Sequence, residues 1–148
     1  MFSRLSEVYR YMTGDHGDAH CTFPEDKCML FSEGVTFDVR PDRRRWRPFS
    51  TLSGGQQSLA TLSLSFALQA AFPSPFYFFD EIDCALDTTN AVRVADYIQK
   101  QSSAQYIVVS HKPQVFERAG CLVGIYSAGG SAAAITFPVP KTDQQQEE

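Results

Sequence analysis

The sequence is poor in lysine, and none of its four lysines stands where a phosphate-binding loop needs one. Lys27, Lys100, Lys112 and Lys141 follow Asp26, Gln99, His111 and Pro140. A P-loop of the form G-x-x-x-x-G-K-[ST] requires a lysine directly after its second glycine. The chain therefore cannot supply that cradle itself. Its four cysteines, Cys21, Cys28, Cys84 and Cys121, form no tight CxxC pair, so free thiols in a reducing compartment are expected. His16, His20, Cys21 and Cys28 are metal-ligating residue types, but their spacing matches no standard zinc pattern. No apolar run approaches a membrane span, and "MFSRLSEVYRYMTG" lacks a signal-peptide core. A soluble intracellular protein with no membrane partner is the expectation. Basic residues are fewer than acidic ones, and a net charge of −4 excludes a wholesale nucleic-acid coat. At 148 residues and 43% hydrophobic, without an internal repeat, there is material for one domain with a real core.

Helical spacing of Phe2, Leu5, Val8, Tyr9 and Met12 predicts an amphipathic helix over 2–12. "TGDHGD" breaks it. "AHCTF" and "GVTFDVR" read as strands beside the "PEDK" and "SEG" turns, with "PDRRR" as a further turn. A helix is expected from Gly54 to Ala71 with Ser53 as N-cap, stopped by the prolines of "FPSP". "FYFFD" and "YIVVS" read as two buried strands, separated by a helix over 88–101. A short helix near Pro113–Arg118 follows, then "CLVGIY" and "AAAITF" as an antiparallel pair around "SAGGS". The polar tail "KTDQQQEE" has the composition of a disordered segment.

Four features carry chemistry. "TLSGGQQSL" sets Ser53, Gly54 and Gly55 at a helix start, where unpaired N–H groups and the helix dipole favour an anion. Taken alone, the stretch is equally a capped helix after a Gly-Gly turn. Asp80 and Glu81 end an apolar strand, at the edge where ligands collect in open α/β sheets. Asp80 is a candidate Mg²⁺ ligand and Glu81 a candidate for polarising water; the plain alternative is a core strand with a solvated tip. Asp87 lies six residues beyond Glu81, and His111 closes the second strand. Arg40, Arg43, Arg44, Arg45 and Arg47 crowd eight positions. They are either a solvated hairpin turn or a local contact for DNA phosphates.

This ordered set, within sixty residues, resembles the signature, Walker B, D-loop and H-loop of ABC ATPases. "PSPFYFFDEIDCALDTTNAVRVADYI", with "FSEGVTFDVR", "RWRPFSTLSGG" and "LVGIY", is similar to the C-terminal lobe of an SMC (structural maintenance of chromosomes) head. Within that family the likeness is to a cohesin- or condensin-type subunit, with a DNA-repair relative as a third possibility. The resemblance covers roughly residues 5–137. It departs at Gln57, where SMC signatures usually carry a basic residue, and keeps His111, which many eukaryotic subunits lack.

The resemblance implies an α/β fold: the C-terminal half of a head, a P-loop NTPase-like sheet with flanking helices, whose N-lobe with Walker A is absent. Residues 1–13 would end a coiled-coil arm, 14–138 would form the lobe, and 139–148 a disordered tail. ATP and Mg²⁺ are the implied cofactors. Asp80 is the implied metal ligand, Glu81 and His111 the catalytic residues, and Ser53, Gly54, Gly55, Gln56 and Asp87 the nucleotide contacts. The implied partners are an N-lobe, a second head, a kleisin and DNA (through Arg43, Arg44, Arg45 and Arg47), in the nucleus on chromosomes. The implied function is ATP hydrolysis by the completed head in chromosome organisation or cohesion, the isolated chain being inactive. The alternative is a non-catalytic half-head that binds a kleisin or an N-lobe.

Overall fold

In the computed structural model, which describes residues 2–139, helix α1 (Phe2–Thr13) turns Leu5, Val8, Tyr9 and Met12 into the core. Their i, i+3, i+4, i+7 spacing puts all four on one stripe. That stripe packs against strand β1 (Asp18–Thr22) and two later helices. Beyond a reversal at Gly14–Gly17, β1 pairs antiparallel with β2 (Thr36–Arg40), Ala19 opposite Val39. A two-residue strand β3 (Arg47–Pro48) adds to the same sheet. The sequence gives no sign of β3, because two residues carry no alternation. Between β1 and β2 the chain forms a 3-10 turn, Lys27–Met29, and a one-turn helix α2 (Leu30–Glu33), where only turns were expected.

Helix α3 (Gly54–Ala71) matches the expected bounds. It buries Leu59, Leu62, Ser63, Phe66 and Ala67, and the Ser63 hydroxyl donates to Leu59 O at 2.8 Å, so no polar group is stranded. Strand β4 (Phe76–Asp80), helix α4 (Thr88–Gln99) and strand β5 (Gln105–Val109) form a βαβ unit with a parallel pair, Asp80 opposite Val109. Helix α4 ends two residues before the expected 101. The one-turn α5 (Pro113–Phe116) likewise stops short of Arg118. Strands β6 (Cys121–Ala128) and β7 (Ser131–Pro138) form a hairpin. Gly129 and Gly130, at φ +59° and +85°, make its two-residue turn, a conformation that favours glycine at both positions. Val139 N–H donates to Gly120 O, while the rest of the polar tail, 140–148, lies outside the described residues.

The α/β class holds, but the described strands fall into three small sheets. β4 and β5 also differ from the expectation of burial on both faces. Phe79 packs edge-on to Phe66 of α3, ring centres 5.6 Å apart, and lies 6.1 Å from Tyr106. On the opposite face, Phe76 and Phe78 are 56% and 59% exposed, beside exposed Ile107 and Val109. The apolar run fits a strand covered twice; among the described residues only one side is covered.

Candidate functional site

The parallel register of β4 and β5 decides where the charged strand tips meet. Glu81 N–H donates to Val109 O at 3.0 Å, extending the ladder one residue beyond Asp80. Glu81 then takes φ +48°, a left-handed conformation that is uncommon for a side-chain-bearing residue and costs roughly 1–3 kcal/mol. There its carboxylate Oε1 lies 3.2 Å from His111 Nε2, two residues past the end of β5. Glu81 and His111, thirty positions apart in sequence, thus share one edge, both solvent-accessible. Asp80 is exposed beside them on the same face as Phe76 and Phe78.

The start of α3 lies against this edge. A Cβ on Gly55 would stand 3.1 Å from Ala85 O, in the loop after Glu81, whereas one on Gly54 would meet nothing within 4 Å. A side chain at 55 would thus press on the loop, which would have to give by a few tenths of an ångström, whereas position 54 is open. The side chain of Gln56 turns back on the helix start, its Oε1 accepting the Ser53 N–H at 3.2 Å, one arm of a capping box. Gln57 Nε2 donates to Phe49 O at 3.3 Å. Asp87 caps α4: Oδ1 accepts the Asn90 N–H at 2.7 Å and Oδ2 the Asn90 side-chain amide at 3.1 Å.

Sequence reasoning missed the residues beneath this edge. Asp83, only 2% exposed, accepts a 2.7 Å hydrogen bond from Ser110 Oγ. Lys112 Nζ donates to Leu86 O at 2.5 Å. An acidic residue between Ile82 and an otherwise uncharged "CAL" was the one available signal.

The remaining candidates lie elsewhere. Arg43 is fastened to Asp15 O by Nε and Nη2. Arg44, Arg45 and Arg47 are exposed around the β2–β3 turn, and Arg40 lies over Trp46, 5.1 Å from its ring centre. His20 meets Trp46 edge-on at 4.3 Å. Among the described residues no three His, Cys, Asp or Glu side chains gather as a metal cluster, and no helix is long and apolar enough to cross a membrane.

A family model described as the RecF/RecN/SMC N terminal domain matches residues 20–133. Over 127 residues the chain is 43% identical to structural maintenance of chromosomes protein 4 of Caenorhabditis elegans, an alignment covering 85% of this chain and 8% of that protein. It is 30% identical, with a TM-score of 0.82, to a solved Smc head domain from Pyrococcus furiosus that has an extended coiled coil and is bound to the C-terminal domain of ScpA. That match covers 92% of this chain and 34% of the other. A further solved chain, from work on ATP-driven dimerisation and DNA-stimulated activation of SMC ATPases, aligns at 28% identity and a TM-score of 0.83. Here 93% of this chain and 83% of that one are covered. The chain thus spans a small part of the curated relative and most of one solved chain.

Proposed function

The chain belongs to the RecF/RecN/SMC N-terminal domain family, and on that premise we propose that it is the signature-bearing lobe of an SMC-type ATPase head. The family model is described by an N-terminal domain, whereas the motifs of this chain are those expected of a C-terminal lobe. The C-terminal assignment therefore rests on the chain itself, with a signature helix, an acidic strand tip and a strand-tip histidine but no lysine suited to Walker A.

The observation that carries the proposal is the 3.2 Å approach of Glu81 to His111, beside a loop on which Gly55 packs. The residues present fit half of a nucleotide site: an exposed acid for a metal and a helix start for an anion, without a cradle. Bound ATP with Mg²⁺ supplies the phosphoanhydride and the charge that activates it. Asp80 is the residue to hold the metal, with few carboxylates needed. Glu81 accepts a proton from, and orients, a water on the same edge, with His111 fixing its carboxylate. Ser53, Gly54 and Gly55 present hydroxyl and N–H donors to phosphate on an opposing head. Asp87 and Gln56, each capping its own helix start, stand beside these donors as further contacts for that nucleotide. The exposed face of Phe76, Phe78, Ile107 and Val109 takes the missing lobe, which brings Walker A.

Similarity to structural maintenance of chromosomes protein 4 favours a condensin-type subunit on nuclear chromosomes over a cohesin or repair type. A second head, a kleisin and DNA complete the proposed set of partners, and α1 is read as the end of the arm. In the assembled head, Glu81→Gln is expected to keep ATP-driven dimerisation and cut turnover at least about 10²-fold. Dimerisation is read by sedimentation and turnover by phosphate release; wild-type turnover removes Glu81 from the role.

The exposed apolar faces favour one second reading, a non-catalytic half-head that docks on an N-lobe or a kleisin. It differs in expecting docking without turnover in the completed complex.

A further inference from the structure

The two loops leaving the β4 and β5 tips are tied together by side chains on both sides of His111. Ser110 Oγ donates to Asp83 Oδ2 at 2.7 Å and accepts the Lys112 N–H at 3.0 Å. Lys112 Nζ then reaches Leu86 O at 2.5 Å, the residue directly before Asp87. Within the 83–87 loop, Leu86 N–H donates back to Asp83 O at 3.0 Å. Asp83 and Leu86 are 2% and 5% exposed, so these bonds lie where water competes poorly and are correspondingly rigid. The same loop presents Ala85 O to Gly55.

We propose that Lys112, with Ser110 and Asp83, is a positioning device that locks the His111 tip to the loop carrying Asp87. Groups that serve two nucleotide sites then stand on one rigid unit. Glu81 and His111 face the site of their own head, while Ser53–Gly55 and Asp87 face the opposing one. Lys112 touches no reacting atom and acts only through the carbonyl it holds. The inference rests on the ATPase-head reading.

Two readouts test it. Amide hydrogen exchange of this chain without nucleotide follows Cys84 and Leu86, whose N–H groups bond to Glu81 O and Asp83 O. Lys112→Met, which keeps the stem and loses the donor, is expected to speed exchange at both amides about tenfold, and Lys112→Arg to restore it. In the assembled head, Lys112→Met is expected to lower kcat about tenfold with KM within about twofold, because misplacement penalises the reacting geometry and not binding. Unchanged exchange in Lys112→Met, or no restoration by arginine, overturns the lock. Equal losses in kcat and binding, matched by a fall in Tm, also overturn it by making Lys112 a general stabiliser. Glu81→Gln is measured alongside. If the wild-type assembled head turns over no ATP, the head reading fails and takes the inference with it, whereas wild-type turnover by Glu81→Gln removes only Glu81 from its role. If Glu81→Gln is inactive while Lys112→Met is normal, only the inference fails.

Discussion

Asp18 joins three elements through one carboxylate. Ser6 Oγ donates to Oδ1 at 2.5 Å, Arg10 to Oδ2 at 2.8 Å, and Arg40 lies 3.5 Å from Oδ2. Burial alone pushes an acid up, but here the hydrogen bonds from Arg10, Ser6 and the Ala19 N–H outweigh it and hold Asp18 below the usual carboxylate range. Stability from this group is therefore present above its unfolded pKa near ~4 and is lost as the pH falls through the lower folded value. Tyr9 behaves in the opposite sense, its hydroxyl pushed up to about 12 by burial. Its contribution is lost as the pH rises above about 10. Asp18→Asn is expected to cost about 2 kcal/mol near neutral pH, since the carboxylate is nearly buried while Arg10 remains half in water. The cost should shrink as the pH falls below the unfolded value of ~4, because the stability held by the depressed carboxylate is lost on the way down to its lower folded value. Denaturant unfolding across pH 3–8 checks it, and a cost that does not shrink removes the ion pairs as its cause.

The β2–β3 turn gathers Arg44, Arg45 and the adjoining Arg47 on exposed backbone, while Arg43 is tied to Asp15 O. As the proposed DNA contact, this turn needs only local charge, so the net −4 does not oppose it. Replacing Arg44, Arg45 and Arg47 by alanine is expected to lower the slope of log affinity against log salt by about 2–3 on duplex DNA. An unchanged slope leaves the turn as a solvated hairpin. At this scale the sequence was informative where an element is long or has hard stops. Helix α1 followed its apolar stripe, and α3 its N-cap and the prolines after it. Elements of two to four residues, β3 and α2, have no period to detect. The apolar runs of β4 and β5 named the strands but misjudged their burial, because composition reports which faces a strand is built to cover and not which are covered in this chain.

The molecule as a whole explains why half of the candidate site was legible. Glu81 and His111 were picked out as strand-tip groups, and it is the parallel register that brings them to 3.2 Å. The Asp83–Ser110 bond links residues 27 positions apart, and Lys112 reaches Leu86 across 26. No local pattern specifies either pair, since both depend on which strand lies beside which. The exposed face of β4 and β5 gathers four large apolar side chains around Asp80, and it is the face on which the proposed N-lobe would pack. The most direct test of the central claim is ATP turnover by the purified chain, measured alone and after mixing with a family N-lobe that carries Walker A and an opposing head. No turnover by the chain alone, and turnover once both partners are added, is the expected result. Turnover by the chain alone contradicts the missing-half account, and silence from a fully docked complex contradicts the catalytic role of Glu81.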